Sequence, residues 1–154
     1  MPLLPPDTGD LLLRLFVAAV FGGGVGIDRE VRGKPAGMRT HALVSLGAAL
    51  VTVVIVRVAP PGIAHVDAVS RVIQGIIAGV GFLGAGAILK SAQGEEVHGL
   101  TTAASIWLVA ALGTACGTGQ WIAALIAVGL AFLILIGGLG AEKIVRRIFG
   151  EHEP

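Results

Sequence analysis

The chain is poor in the residues that cross-link or coat a water-soluble protein. Only 14% of its 154 residues are charged, against roughly a quarter in an ordinary soluble domain. It has one cysteine, Cys116, and no tyrosine, so it offers neither a disulfide framework nor a cysteine-based zinc site. A net charge of +1 excludes a basic nucleic-acid module, and the composition excludes a disordered tail or a coiled coil.

Apolar residues and glycine dominate what remains. Hydrophobic residues make up 55% of the chain, 24 residues are glycine, and the mean hydropathy is +0.88. In hydrocarbon a backbone must satisfy its own hydrogen bonds, so we predict an all-α membrane protein with five transmembrane helices. Core helices of a soluble protein are the alternative, disfavoured because no polar segments exist to cover them. The stretches of bilayer-spanning length are Leu11–Ile27, His41–Val56, Val72–Leu89, Leu100–Gly117 and Trp121–Gly140.

The basic residues predict the orientation of these helices. Because lysine and arginine favour the cytoplasmic side, we expect a multi-pass inner-membrane protein with its N-terminus outside and its C-terminus in the cytoplasm. The chain then divides into a periplasmic lead (residues 1–10), a transmembrane domain (11–140) and a cytoplasmic tail (141–154). Eight basic residues fall inside and three outside: Arg29, Arg32, Lys34, Arg39, Lys90, Lys143, Arg146 and Arg147 against Arg14, Arg57 and Arg71.

A unit of two helices is repeated within the chain. Asp10 and Arg14 are four residues apart at the start of the first helix, and Asp67 and Arg71 have the same spacing at the start of the third. When the starts of the second and fourth helices are aligned, seven of 14 positions are identical. We infer a parallel repeat of helices 1–2 and 3–4, plus a fifth helix; chance similarity of Ala/Leu-rich helices is the alternative. Each Asp–Arg pair is expected to be an ion pair that holds a helix end at the outer interface.

Glycines recur at the spacing that lets helix backbones approach closely in lipid. We assign this packing role to two glycines of the first helix and to the glycines of the third. A break in the third helix at the dense segment Gly81–Gly86, which would expose carbonyl groups to a site, is the alternative. The glycines concerned are Gly22, Gly26, Gly75, Gly79, Gly81, Gly84 and Gly86.

Most polar residues of functional interest lie on the predicted cytoplasmic face. Thr40 and Thr102 are placed to cap the second and fourth helices, and two helix N-termini beside basic residues favour a bound anionic group. A basic loop lying against anionic lipid headgroups is an equally weighted alternative. The candidate cluster comprises Asp28, Arg29, Glu30, Lys34, Arg39, Thr40, His41, His98, Thr101 and Thr102.

The sequence indicates a metal site only weakly and a catalytic site not at all. Asp28, Glu30, Glu95 and Glu96, with a histidine nearby, offer ligands for Mg²⁺, but the interleaved basic residues make this the minor interpretation. The five spans contain no Asp, Glu or Lys, whereas cation pumps usually place carboxylates within the membrane. No nucleophile–base set or phosphate-binding loop is recognisable, so we expect neither an enzyme nor a resident cofactor.

Several of these stretches together resemble the MgtC/SapB family of bacterial inner-membrane proteins. Asp28 departs from the family pattern, which usually has Glu at this position. Longer members of the family add a cytoplasmic ACT-like domain, so a chain that ends at Pro154 is expected to be the short, membrane-only form. The matching stretches are Arg14–Gly26, Asp28–Glu30, Lys34–His41, Gly79–Gly86, Val97–Trp107 and Gly113–Gly119.

The resemblance implies a role in growth at low magnesium, acid tolerance or survival within host cells. It also implies action on other membrane proteins, the ATP synthase among them, rather than magnesium transport. The first hypothesis is therefore a membrane protein that modulates others through helix and loop contacts, with a homo-oligomer, favoured as a dimer, as a further form. The second is a small transporter or channel for Mg²⁺ or a solute, suggested by the repeat and by Gly81–Gly86.

Overall fold

The structure, a computed structural model, describes residues 7–90 and 97–149. Each of its five helices includes a segment long and apolar enough to cross a membrane, which confirms the predicted all-α membrane fold. Two short antiparallel strands lie between the third and fourth helices, with Leu89 opposite His98. In chain order the elements are α1 (Thr8–Val31), α2 (Met38–Val58), α3 (Ile63–Gly86), β1 (Leu89–Lys90), β2 (Val97–His98), α4 (Leu100–Thr118) and α5 (Trp121–Phe149).

The helices extend beyond the apolar stretches at most of their ends. α3 begins at Ile63, well before the predicted Val72, so Asp67 and Arg71 lie inside the helix. α5 continues past Gly140 to Phe149. Hydrocarbon thickness limits the apolar run, whereas helical hydrogen bonds can continue through the headgroup region. Residues 1–6 of the predicted lead, Glu95 and Glu96 of the predicted metal ligands, and residues 150–154 of the predicted tail lie outside the described residues.

α4 is the central helix of the bundle. It packs against each of the other four helices, and 50% of its membrane-spanning window is buried, against 11% for α3. Its residues Val109, Leu112 and Cys116 form a core with Ala18 of α1 and Ala49 of α2. A helix with apolar residues on all sides is suited to this position, because every face meets either a neighbour or lipid.

Glycines bring the backbones of α1 and α4 close to α2. A Cβ added at Gly22 would lie 2.5 Å from the carbonyl oxygen of His41, and one at Gly26 would lie 2.6 Å from Cα of Met38. On α4, a Cβ at Gly117 would lie 2.7 Å from Cβ of Thr52. Any larger residue would force these helices apart, and close approach of this kind is how helices gain contact energy in lipid.

The glycines of α3 behave differently. No atom of a neighbouring element lies within 4 Å of a Cβ built at Gly75, Gly79, Gly81 or Gly86, so the prediction that these glycines pack tightly is wrong for contacts within one chain. α3 instead meets its neighbours through Val80 and through Gly84, whose Cβ position is 3.6 Å from Cβ of Ala103. The physical reason is that α3 leans on α2 and α4 with one narrow face and leaves the rest uncovered.

The alternative interpretation of the α3 glycines, a break in the helix, is also wrong. The helix continues without interruption to Gly86. The N–H of Ala87 then donates to the carbonyl oxygens of Leu83 and Gly84, which closes the last turn and leaves no gap in the ladder of hydrogen bonds. The freed carbonyl groups of the break hypothesis are therefore absent from the described part of α3.

One pair of contacts supports the predicted repeat. Gly22 of α1 approaches His41 of α2, and Gly84 of α3 approaches Ala103 of α4. Gly84 follows Gly22, and Ala103 follows His41, by the same number of residues that separates the aligned starts of α2 and α4. The two helix pairs therefore meet at equivalent positions, although the second is more loosely packed.

Candidate functional site

A cavity of about 510 Å³ opens at one end of the bundle, where α1 ends and α4 begins. We call this end, which carries Arg29, Arg32, Lys34 and Arg39, the basic end. α1 and the loop after it supply three cationic side chains to the cavity, and α5 supplies Ile134 and Leu135. This basic cavity is lined chiefly by Arg29, Arg32, Lys34, His98, Thr101 and Thr102.

The end of α1 positions the cationic side chains through its backbone. Gly33 has a φ of +62°, which only glycine adopts without strain. Its N–H donates to the carbonyl oxygen of Glu30, and the N–H of Lys34 donates to that of Arg29. These two bonds form a Schellman motif, which folds the chain back so that Lys34 returns beside the last turn of α1.

No side chain of the described residues caps the start of α4. Its N-cap is Gly99, with a φ of +94°, and a Cβ there would collide with the carbonyl oxygen of Ala87. The N–H of Ala103 donates to Gly99, and this is the first hydrogen bond of the helix. The preceding N–H groups, at residues 100–102, consequently have no acceptor within α4, and all three residues line the cavity.

The prediction that Thr40 and Thr102 cap their helices is wrong. The N-caps are Gly37 and Gly99, and neither helix has a side-chain cap from its own N-cap residue. Both threonines lie inside the first turn, past the position from which a hydroxyl can reach the free N–H groups. Thr40 is exposed, whereas Thr102 is fully buried.

The N-terminus of α2 is already occupied by a carboxylate of the chain itself. Oε2 of Glu30 accepts a hydrogen bond of 2.9 Å from the N–H of Met38. An acidic group is favoured at this position because it offsets the positive end of the helix dipole. Of the two helix N-termini expected to attract an anion, therefore, only that of α4 lacks an acidic partner among the described residues.

Several polar atoms near the cavity are buried without a hydrogen-bond partner. Arg29 is 4% exposed and its Nε has no acceptor; Thr102 is 0% exposed and its Oγ1 has no partner. Asp28 accepts a 2.7 Å bond from Nε of Arg32, and its Oδ2, 3.6 Å from Nη1 of Arg29, has no hydrogen bond. Buried polar atoms nearly always have partners. Of the five such atoms without a partner in the described residues, three lie here, and the other two, Oγ of Ser45 and Oγ1 of Thr52, lie further along α2.

His41 lies fully buried behind the cavity and links α2 to α4. Its Nδ1–H donates to the carbonyl oxygen of Gly37 at 2.9 Å, and its Nε2 is 2.9 Å from Oγ of Ser105. The Ser105 hydroxyl is also 2.8 Å from the carbonyl oxygen of Thr102. Both ring nitrogens thus lie within hydrogen-bond distance of atoms of the protein, so His41 is not a free ligand for the Mg²⁺ site that was the minor interpretation of the sequence.

The structure brings together only part of the predicted cluster. Arg29, Lys34, His98, Thr101 and Thr102 line one cavity. Arg39 and Thr40 are exposed on α2 and do not line it. Asp28 and Glu30 are paired with neighbouring groups of the chain. Among the residues that the structure describes, no group of three His, Cys, Asp or Glu residues could hold a metal ion.

The predicted cluster omits Arg32, although the basic loop that favours an anion includes this residue, and it omits the apolar wall of the cavity. Arg32 lies four residues after Asp28, a spacing that favours an ion pair on a helix. This spacing could have placed Arg32 beside Asp28 in the predicted cluster. Ile134 and Leu135 belong to an apolar helix that resembles any other lipid-facing span. Nothing in their local sequence indicates that they close a cavity.

The opposite end of the bundle is held by ion pairs. Asp10 and Arg14 pair at 2.9 Å, as the sequence predicts, and Arg57 bridges to Asp7 at 2.8 Å. Nη1 of Arg14 also donates to the carbonyl oxygen of Gly117 at the end of α4, at 2.8 Å. This bond ties α1 to the central helix, which the sequence spacing alone did not indicate.

The equivalent pair on α3 does not form. No salt bridge joins Asp67 and Arg71 in the described part of the chain, and both residues are exposed, so the prediction of a second ion pair is wrong. An exposed pair in water gains about 0 to 1 kcal/mol. That gain is comparable with the side-chain entropy lost on pairing, so the spacing alone does not ensure a contact.

The amino-acid sequence was compared with those of known protein families. Residues 15–143 match the MgtC family, and this span contains every residue named above as lining the basic cavity. The chain belongs to the MgtC family. No solved structure matches it.

Curated MgtC-family relatives are similar over most of this chain. The protein SrpB of Synechococcus elongatus is 44% identical over 87% of this chain and 78% of its own length. The putative magnesium transporter YhiD of Escherichia coli is 40% identical over 74% of this chain and 54% of its own. The protein MgtC of Salmonella typhimurium is 36% identical over 89% of this chain and 54% of its own. The chain thus spans about half the length of the last two.

Proposed function

We propose that this MgtC-family protein is a non-enzymatic inner-membrane protein that modulates other membrane proteins during adaptation to low Mg²⁺ and acid stress. It acts through exposed helix faces in the bilayer and through the loop at the basic end. We orient the basic end toward the cytoplasm, because eight of the 11 lysine and arginine residues are assigned to that side and positive residues are retained there.

The observation that carries this proposal is an unfilled apolar groove between α2 and α3, of about 430 Å³. No neighbouring atom lies within 4 Å of a Cβ built at Gly47, Gly75 or Gly79. Lipid gives no hydrophobic drive for helix association, so helices associate where small residues let backbones approach closely. The α2–α3 groove therefore suits a transmembrane helix of another protein. It is lined by Leu43, Gly47, Val51, Gly75, Gly79 and Leu83, among others.

Filling the groove is expected to abolish modulation without unfolding the protein. In Gly79→Leu the new side chain projects into the groove, and since Gly79 has no neighbour within the chain, the melting temperature in detergent is expected to change by less than about 2 °C. A photoreactive amino acid at Val51 should give a cross-linked product in native membranes. That product should disappear in Gly79→Leu, together with complementation of growth in low-Mg²⁺ medium.

Gly81→Leu is the matched control, because Gly81 lies on the same helix, is equally open, and does not line the groove. It should retain both the cross-link and growth. A product of twice the chain mass would identify a second copy of this protein as the occupant, in keeping with the homodimer we favour. Loss of growth in Gly81→Leu as well, or a cross-link that survives Gly79→Leu, would count against the groove as the contact surface.

Magnesium transport is the second candidate function, since one relative, YhiD, carries the name of a putative magnesium transporter. The electrostatics of the basic cavity disfavour it, because three cationic side chains line the cavity and repel a divalent cation. Purified protein in proteoliposomes separates the two functions. Mg²⁺ flux that exceeds that of empty vesicles and is lost in Asp28→Asn would replace modulation with transport.

A further inference from the structure

We propose that the basic cavity binds the phosphate group of an anionic ligand, held between the uncapped N-terminus of α4 and the side chains of Arg29, Arg32 and Thr102. This inference concerns a different surface from the α2–α3 groove and stands independently of it. Two sources share the chemistry: the headgroup of an anionic phospholipid and a soluble phosphate compound.

Two helix N-termini at the same end of the bundle differ in how they are capped. The N-terminus of α2 has the carboxylate of Glu30 on the N–H of Met38. That of α4 has no cap from its own N-cap residue, Gly99. The free N–H groups of residues 100–102 carry the positive end of the helix dipole, and an anion at such a position accepts hydrogen bonds from them.

Two buried donors beside the cavity have no acceptor. Nε of Arg29 and Oγ1 of Thr102 have no hydrogen-bond partner, and their residues are 4% and 0% exposed. Both residues line the cavity together with the start of α4. A guanidinium N–H and a hydroxyl can each donate to a phosphate oxygen. A bound phosphate therefore satisfies groups that the protein leaves unsatisfied by itself.

The described lining of the cavity carries an excess of positive charge. Arg29, Arg32 and Lys34 line the cavity, and Asp28, which is not a lining residue, pairs with the first two. Among the residues that the structure describes, these three cations are thus only partly offset by the carboxylate of Asp28. Arginine pairs with phosphate through several N–H groups at once, so the residue types as well as the net charge suit this group.

The size and polarity of the cavity also suit such a ligand. A volume of about 510 Å³ lies within the range of small-molecule sites, roughly 300–1,000 Å³, and exceeds what a phosphate group fills. The remaining wall is apolar, with Ile134 and Leu135 of α5. A ligand with a phosphate group on one side and an apolar or uncharged portion on the other fits this lining.

The test measures binding by the full chain in two arms. In the first, inorganic phosphate is titrated into protein in neutral detergent, with binding followed by calorimetry. In the second, protein in phosphatidylcholine nanodiscs containing phosphatidylglycerol is examined by native mass spectrometry for retained anionic lipid. Arg32→Gln and Thr102→Val, the latter nearly isosteric, each remove one donor and should weaken binding about tenfold. Arg39→Gln removes an exposed cation of the basic end that does not line the cavity, and should change binding less than about twofold.

Each outcome decides the proposal. Binding in the first arm identifies a soluble phosphate compound as the ligand, and binding in the second arm alone identifies a lipid headgroup. Either result supports the proposed site if Arg32→Gln and Thr102→Val weaken the binding and Arg39→Gln does not. The proposal is overturned by the absence of binding in both arms. It is equally overturned if Arg39→Gln weakens binding as much as Arg32→Gln, because the attraction would then be that of a basic surface. Thr102→Val decides the matter if an arginine variant fails to fold.

Discussion

At the scale of single residues, burial separates groups that look alike in the sequence. Arg39, Thr40 and His41 are consecutive, yet the first two are exposed and the third is fully buried with both ring nitrogens engaged. The Ser105 hydroxyl donates to the carbonyl oxygen of Thr102 and lies 2.9 Å from Nε2 of His41. His41 is therefore a link between two helices rather than a group open to ligands.

His41→Ala is expected to destabilise the fold. The change leaves a cavity between α1, α2 and α4 and deprives Ser105 of a partner, so we expect a loss of about 2–4 kcal/mol. His65→Ala on α3 is the control, because its ring makes one long contact, 3.5 Å, with the carbonyl oxygen of Ala59, and its loss should cost less than about 1 kcal/mol. Denaturation of the purified variants in mixed micelles measures both. Equal stability of the two would refute a linking role for His41.

At the scale of elements, equal spacing of glycines has unequal consequences. Gly22 and Gly26 on α1 and Gly75 and Gly79 on α3 are both four apart, but only the first pair meets a neighbouring helix of the chain. Spacing within a helix determines which residues share a face. Whether another helix covers that face depends on how the helices pack, and α3 is the least buried of the five spans.

Adding one methyl group at each type of glycine tests this difference. In Gly22→Ala the new Cβ lies 2.5 Å from a backbone oxygen of α2, so the helices must separate, at a cost of about 1–3 kcal/mol. In Gly75→Ala nothing is met, and alanine favours a helix by about 1 kcal/mol over glycine. The melting temperature measured in detergent should therefore fall for Gly22→Ala and rise for Gly75→Ala. A lower melting temperature for Gly75→Ala would show that α3 is packed more closely than the structure has it.

At the scale of the whole molecule, α4 is the central helix and packs against the other four. Basic side chains lie at one end of the bundle, and acidic–basic ion pairs lie at the other. The basic end holds the cavity, and the bilayer-facing side holds the α2–α3 groove. The two features are lined by different residues. A ligand at the basic end and a partner helix in the membrane can accordingly be tested separately.

The orientation of the bundle gives a prediction at this scale. The native cysteine, Cys116, is buried, so single cysteines can be introduced on either side: Lys34→Cys at the basic end and Pro61→Cys between α2 and α3, both at exposed positions. A membrane-impermeant thiol reagent should label Pro61→Cys in spheroplasts and label Lys34→Cys only after the membrane is opened. The reverse pattern would invert the topology, and labelling of both in intact spheroplasts would contradict the alternation of spans.

The anion hypothesis shows how far residue patterns reach toward a site. The run of basic residues from Arg29 indicated the end of the bundle at which the cavity lies and the sign of the charge that lines it. Local sequence could not show that Glu30 occupies the N-terminus of α2, because the bond from Met38 to Glu30 depends on how the α1–α2 loop folds back. It also could not show that none of the described acidic residues caps α4. The wall formed by Ile134 and Leu135 depends on the docking of α5.

The amino-acid sequence by itself determined the number of spans, their approximate positions and the difference in charge between the two ends. These follow from transfer between water and hydrocarbon, which each segment undergoes independently of its neighbours. Tertiary structure alone decided which glycines are covered, which polar atoms are left without partners, and that Arg14 binds the end of α4 while Arg71 does not pair with Asp67. The reason is that these depend on contacts between helices distant in the chain. In a bilayer, hydrophobicity places each helix across the membrane but does not choose its neighbours.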